Sequence, residues 1–82
     1  MSNTKKRLFL TFPQQILGEP LIYTLSRDYD VIPNIQGASI SKDMGMMALE
    51  LEGDPGAIER AIAYLVSRKV QVDTIAPKDF SR

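Results

Sequence analysis

The chain has 82 residues, enough for one hydrophobic core and too few for two, because a domain this small buries only roughly 60% of the surface its unfolded chain exposes. Ten basic and ten acidic side chains cancel, so no overall field draws the chain onto nucleic acid or anionic lipid. Cysteine and histidine are both absent, which excludes thiolate nucleophiles, disulfides, imidazole bases and the usual ligands of zinc and iron–sulfur clusters. No cofactor is expected, and any metal has to bind oxygen ligands.

Residues 1–7 form a polar N-terminal segment whose one basic run is Lys5-Lys6-Arg7. It reads either as a solvated end that keeps the chain soluble or as a contact for phosphate or a partner. No apolar stretch approaches the ~20 residues of a membrane span, and no signal-peptide apolar segment follows the first charges. The expectation is a cytoplasmic protein without membrane insertion.

The first strand is expected at Leu8-Phe9-Leu10-Thr11-Phe12, an apolar and aromatic run stopped by Pro13. Pro20 suits the first turn of a helix, and Leu21, Ile22, Leu25 and Tyr29 recur at spacings of three and four, one face for a sheet. Asp30 ends that pattern and Val31-Ile32 opens a second extended run reaching Ile40. Pro33 and Gly37 are awkward in a central strand, so this run is expected to be irregular or at an edge, with regular pairing resuming near Ala38.

Turn chemistry at Ser41-Lys42-Asp43-Met44-Gly45 leads into a third strand in which Met47, Leu49 and Leu51 alternate with Ala48, Glu50 and Glu52. Gly53-Asp54-Pro55 then stops the strand and starts a helix, with Asp54 as N-cap and Pro55 in the first helical position. Ile58, Ala61, Ile62, Leu65 and Val66 line one face of that helix, and residues 70–75 alternate as a fourth strand. From Pro77 onward a loose C-terminal tail is expected.

Strand, helix, strand, strand, helix, strand with right-handed crossovers is the ferredoxin-like βαββαβ order. It gives an α+β sandwich of a four-stranded antiparallel sheet with two helices on one face, in one domain over residues 8–76. The other sheet face is left uncovered, with Phe9, Met46 and Ala48 among its expected residents. A face of that kind commonly meets a second copy or a partner.

Several chemistries lack their residues. The glycines are scattered and none precedes Lys and a hydroxyl in the phosphate-loop pattern. Ser26, Ser39, Ser41 and Ser67 have no histidine to deprotonate them. The third strand carries two acids and no aromatic residue, so single-stranded RNA finds neither a stacking platform nor phosphate attraction. Glu50 and Glu52 share one sheet face, which fits a cation or acid–base pair as well as a charged solvent face that discourages edge pairing. Met44, Met46 and Met47 cluster about the hairpin, suited to an adaptable apolar contact surface or to ordinary filling of the core. The chain is not expected to be an enzyme.

The unusual segment is Asn34-Ile35-Gln36-Gly37. An Asn amide offers donor and acceptor groups, and an irregular edge strand leaves backbone groups unpaired beside it, a combination able to hold the zwitterionic end of an amino acid. Asn and Gly are equally what a bulge or turn requires.

From Leu8 to Ile75 the sequence resembles the NIL domain family, named for an Asn-Ile-Leu triplet in its second strand. The likeness lies in the proline-led first helix, Asn34-Ile35 followed by Gly37, the hairpin Gly45, the Leu49-Glu50-Leu51-Glu52-Gly53-Asp54 junction, and Ala61-Ile62-Ala63-Tyr64-Leu65 before Val70-Gln71-Val72. Gln36 stands where the family triplet has Leu. The resemblance implies an ACT-like regulatory domain, of the kind found at the carboxy terminus of methionine-import ABC transporter ATPases, where paired domains bind methionine and inhibit transport. It makes Asn34 the first candidate for ligand contact, with Ile35, Gln36 and Gly37 as its neighbours, and Phe9, Met46 and Ala48 as a dimer or partner surface. The expected ligand is an amino acid such as methionine or a related sulfur compound, and the expected assembly a homodimer. The alternative is a ligand-free interaction module docking on an ABC transporter or a ferredoxin-type redox protein.

Overall fold

The computed structural model describes residues 3–16 and 19–74. Seven elements follow in the order β1 (Thr4–Pro13), a short 3-10 turn (Gln14–Ile16), α1 (Leu21–Asp28), β2 (Ile32–Ile40), β3 (Met44–Gly53), α2 (Pro55–Ser67) and β4 (Gln71–Thr74). The strands form one antiparallel sheet in the order β2-β3-β1-β4, the ferredoxin-like arrangement. The C-terminal tail expected from residue 77 lies outside the described residues.

One sheet face is built from alternate positions, Leu8, Leu10 and Phe12 of β1 with Leu49 and Leu51 of β3, all buried. Against them α1 sets Leu21 and Leu25, and α2 sets Ala57, Ile58, Ala61 and Leu65, in one contiguous core. Val66, expected on the apolar stripe of α2, is 56% exposed. At ~100° per residue it falls roughly 120° from the centre of the buried stripe, which runs through Ala57, Ile58, Ala61 and Leu65.

β1 starts at Thr4, earlier than the apolar run suggests. Its added residues are held across the sheet, Lys5 opposite Glu52 and Arg7 opposite Glu50, so the basic run lies inside the strand and not ahead of it. Lys6, in the alternate position, turns to the helix side, where its ammonium lies 3.7 Å from Glu59 of α2.

The two helices begin differently and end alike. At the start of α2 the Asp54 carboxylate accepts from the Gly56 N–H at 3.0 Å, and Pro55 occupies the first turn. Pro20 precedes α1 as its cap residue and offers no side-chain bond. Gly53 sits where the chain crosses the end of α1: a Cβ there would lie 3.2 Å from the Asp30 carbonyl oxygen and 3.3 Å from Val31, too close for an unshifted backbone.

Each helix is followed, one residue past its cap, by a left-handed residue, Asp30 at φ 58° and Lys69 at φ 74°. After α2 the Lys69 N–H donates to the Val66 carbonyl at 3.0 Å and the Val70 N–H to Leu65 at 3.1 Å, the paired bonds of a Schellman ending. Glycine fills that position without strain, whereas lysine pays about 1–2 kcal/mol for it.

Candidate functional site

Among the described residues no helix lies on the second sheet face. Cross-strand partners share a face, so the register assembles it in rows. Asn34, Glu50 and Arg7 form one row. Gly37, Ala48 and Phe9 form the next, and Ser39, Met46 and Thr11 a third. The three surface residues expected from the sequence, Phe9, Met46 and Ala48, thus lie together, Met46 37% exposed and the other two half-buried.

β2 is an edge strand, exposed along nearly its whole length. Its pairing with β3 slips between Ile35 and Gly37, leaving Gln36 as the extra residue of a bulge. The bulge changes the phase of the strand. Asn34 and Gly37, three residues apart, are brought onto the open face, whereas Ile35 lies opposite Leu49 on the helix side and is still 55% exposed. Pairing is regular on both sides of the bulge and not only from Ala38 onward.

Gly37 has no structural need to be glycine. Its φ is not positive, and a Cβ built on it would meet nothing within 4 Å. Beside Ala48 it leaves the surface clear next to Asn34. Glycine within a strand often marks a bulge, as here beside Gln36, or a place where a ligand or another chain approaches closely.

The row beyond Asn34 is charged. The Arg7 guanidinium donates to Glu50 at 3.3 Å, and the Glu50 side chain is only 12% exposed although it lies on the uncovered face. Amide, carboxylate and guanidinium therefore stand side by side across three strands, a set able to accept an ammonium group and to bind a carboxylate. The sequence reading missed Arg7, since only the β1–β3 register reveals its row. Glu50, engaged by Arg7, is not a free carboxylate beside Glu52.

An apolar hollow of about 100 Å³ lies at the other end of β3, between Phe12, Ile16, Leu21, Ile40 and Met47, with Glu19 at its rim. Glu19 is held there by Arg68, which ties the end of α2 to the start of α1. Among the described residues no group of three or more acidic side chains converges as a metal site, and no helix is long and apolar enough to cross a membrane.

A model of the NIL domain family matches residues 6–74, which takes in both the open face and the bulge. The chain belongs to the NIL domain family. This NIL domain is similar to methionine import ATP-binding protein MetN 1 of Bacillus licheniformis, 31% identical over a match covering 85% of this chain and 22% of that protein. It is also similar to methionine import ATP-binding protein MetN of Desulfitobacterium hafniense, 38% identical over 74% of this chain and 20% of that one. The chain thus spans about a fifth of the length of these relatives. The crystal structure of the C-terminal domain of an ABC transporter ATP-binding protein from Enterococcus faecalis shares the fold, with a TM-score of 0.77 over 88% of this chain and 84% of that one at 24% identity.

Proposed function

We propose that this NIL domain is a regulatory module, without catalysis of its own, that binds a small molecule, an amino acid such as methionine or a related sulfur compound, on its open sheet face. The observation that carries the reading is Gly37, a glycine that nothing inside the chain requires, beside Asn34 and in line with the Arg7–Glu50 pair. Similarity to methionine import proteins supports the ligand class. In this reading the Asn34 amide fixes the ligand's charged end, and the domain works in the cytoplasm as a homodimer. Its output is a shift in an equilibrium shared with a transporter, since a ligand moves states only by its differential affinity for them.

The test is thermal unfolding against methionine, its close sulfur relatives and the other common amino acids at millimolar concentration. Ligand at about 100 times its dissociation constant adds roughly 2.7 kcal/mol, several degrees in a domain of this size. The expected result is a rise that is larger with methionine than with the other amino acids and that shrinks in Asn34→Ala and in Gly37→Val, both still folded. Equal rises in parent and variants remove the site from this face.

A second reading rests on apolar exposure. Ile32, Ile35 and Ile40 on the edge strand are 56%, 55% and 73% exposed, and Met46 stands on the open face nearby. An interaction module would dock these on a transporter or redox partner without any small ligand. Met46→Glu or Ala48→Glu then breaks the complex while methionine has no effect on unfolding.

A further inference from the structure

At the end of the sheet where β1 runs out and β3 and β4 begin, three segments line an open groove of about 510 Å³. Met44 is paired with Pro13 there, six registers beyond the Arg7–Glu50 row, about 20 Å along the strands at ~3.4 Å per residue. The groove is thus far from Asn34, although Thr11, Pro13, Met44 and Gln71 of its lining belong to the same sheet face. Its size falls in the ~300–1,000 Å³ range of small-molecule sites, unlike the apolar hollow next to it.

The groove holds one carboxylate, Asp43, and one ammonium, Lys69. Among the described residues neither forms an ion pair, with the other or with a third group. Both are held on ordered backbone. Asp43 sits in the β2–β3 turn, where its N–H donates to the Ser41 hydroxyl at 3.3 Å and the Ser41 N–H donates to the Met44 carbonyl at 2.9 Å. Lys69 keeps a left-handed φ of 74° in the Schellman ending of α2, where glycine is free of strain. Asp30 takes the same left-handed conformation after α1, so the φ of Lys69 belongs to the helix ending, and what marks Lys69 is its charge beside the groove. The amides of Gln14, Gln15 and Gln71 complete the polar wall, with Phe12, Pro13 and Met44 as its apolar part.

We propose that this groove is a second ligand site, for a free α-amino acid with an uncharged side chain: Lys69 takes the carboxylate and Asp43 the ammonium. A simple anion is opposed by Asp43 and a simple cation by Lys69, so only a molecule carrying both charges satisfies both residues. A charged side chain would find no third charge to meet it among the described residues, where Asp43 and Lys69 are the only ionisable ones lining the groove. The site is independent of the Asn34 reading and shares with it only the chemical class of the ligand.

The experiment is a titration of the labelled protein with L-methionine and L-glutamine at millimolar concentration, followed by backbone amide shifts. N-acetyl-L-methionine lacks the ammonium and L-methionine methyl ester lacks the carboxylate, so each tests one charge. The expected result is movement of the amides of Gln14, Gln15, Asp43 and Gln71 with the free amino acids. Affinity should fall about tenfold or more for either blocked compound, the loss of one charge-assisted bond. Lys69→Gly, which relieves the backbone as it removes the ammonium, and Asp43→Asn, in an exposed turn, should both fold and lose this movement. Asn34→Ala should keep it. The proposal is overturned by immobile groove amides with both amino acids, by equal binding of the blocked compounds, or by an unchanged titration in Lys69→Gly. Movement confined to residues 34–37 retains the Asn34 face and eliminates the groove, and movement confined to the groove does the reverse.

Discussion

The two halves of the domain, β1-α1-β2 and β3-α2-β4, repeat one order of elements with unequal local support. In the second half α2 runs for 13 residues, is capped by Asp54 and buries Ala57, Ile58, Ala61 and Leu65 beneath a central strand. In the first half α1 has 8 residues, receives no side-chain cap and buries Leu21 and Leu25; each half also has one exposed edge strand, β2 with its bulge in the first and the 4-residue β4 in the second. A helix of 8 residues is too short to stand on propensity alone, so α1 depends on the packing of those two leucines with Ile22 and Tyr29 beside them. The residues proposed to meet a ligand or partner, Asn34 and Gly37, belong to this less supported half. Binding sites are often drawn from the low-stability end of a structure, where a ligand has something to order.

The comparison breaks if the halves unfold separately, and the largest expected effect tests that. Leu49 of β3 is fully buried and packs in the core shared by both helices. Leu49→Ala should lose about 2–5 kcal/mol through lost transfer energy and a residual cavity. Because the core is one cluster, chemical denaturation should remain a single transition shifted to lower denaturant. Two separated transitions would mean that α1 and β2 have a stability of their own, and the inequality between halves would need another account.

A smaller effect sharpens the contrast at the helix starts. Asp54→Ala removes the bond to the Gly56 N–H and should lose about 1 kcal/mol. Thr24, in the first turn of α1, sends its hydroxyl back to the Pro20 carbonyl and so satisfies no orphan N–H. Thr24→Ala should therefore change stability by less than Asp54→Ala in the same denaturation assay, and an equal loss would remove capping as the source of the difference.

The sequence made the second half more legible than the first for the same reason. Gly53-Asp54-Pro55 is local chemistry, and each residue does in the fold what its type predicts: close approach, cap, first helical turn. The expected edge character of β2 also follows from local residues, Pro33 and Gly37. What the sequence does not reveal is long-range. Lys5-Lys6-Arg7 reads as a chain end until the β1–β3 register sets Arg7 against Glu50, residues 43 positions apart. The face taken by Asn34, Ile35 and Gly37 depends on one extra residue in the bulge, and a shift of one residue inverts every side chain that follows. Val66 shows the same limit on a helix, where its apolar type suits the stripe and its angle does not.

The smallest effect belongs to α1 and is read by pH. Arg27 and Asp28 close its last turn, the guanidinium donating two bonds of 2.8 Å to the carboxylate and stacking over the exposed Tyr23 ring at 5.2 Å. Those hydrogen bonds hold the Asp28 carboxyl below the usual aspartate range. A carboxyl depressed in the folded state contributes stability above its unfolded value and loses it as pH falls through the folded one. The pair is solvent-exposed and screened, so its contribution is small. Melting temperatures of the parent and Asp28→Asn should therefore differ slightly near neutral pH and converge in strong acid, below the carboxylate range. A difference that stays constant down to strong acid would show that Asp28 acts through packing and not through its charge. Amide exchange locates the effect: faster exchange in α1 without change in α2 ties this pair to the weaker half, whereas equal change in both helices means that α1 has no separate weakness for it to relieve.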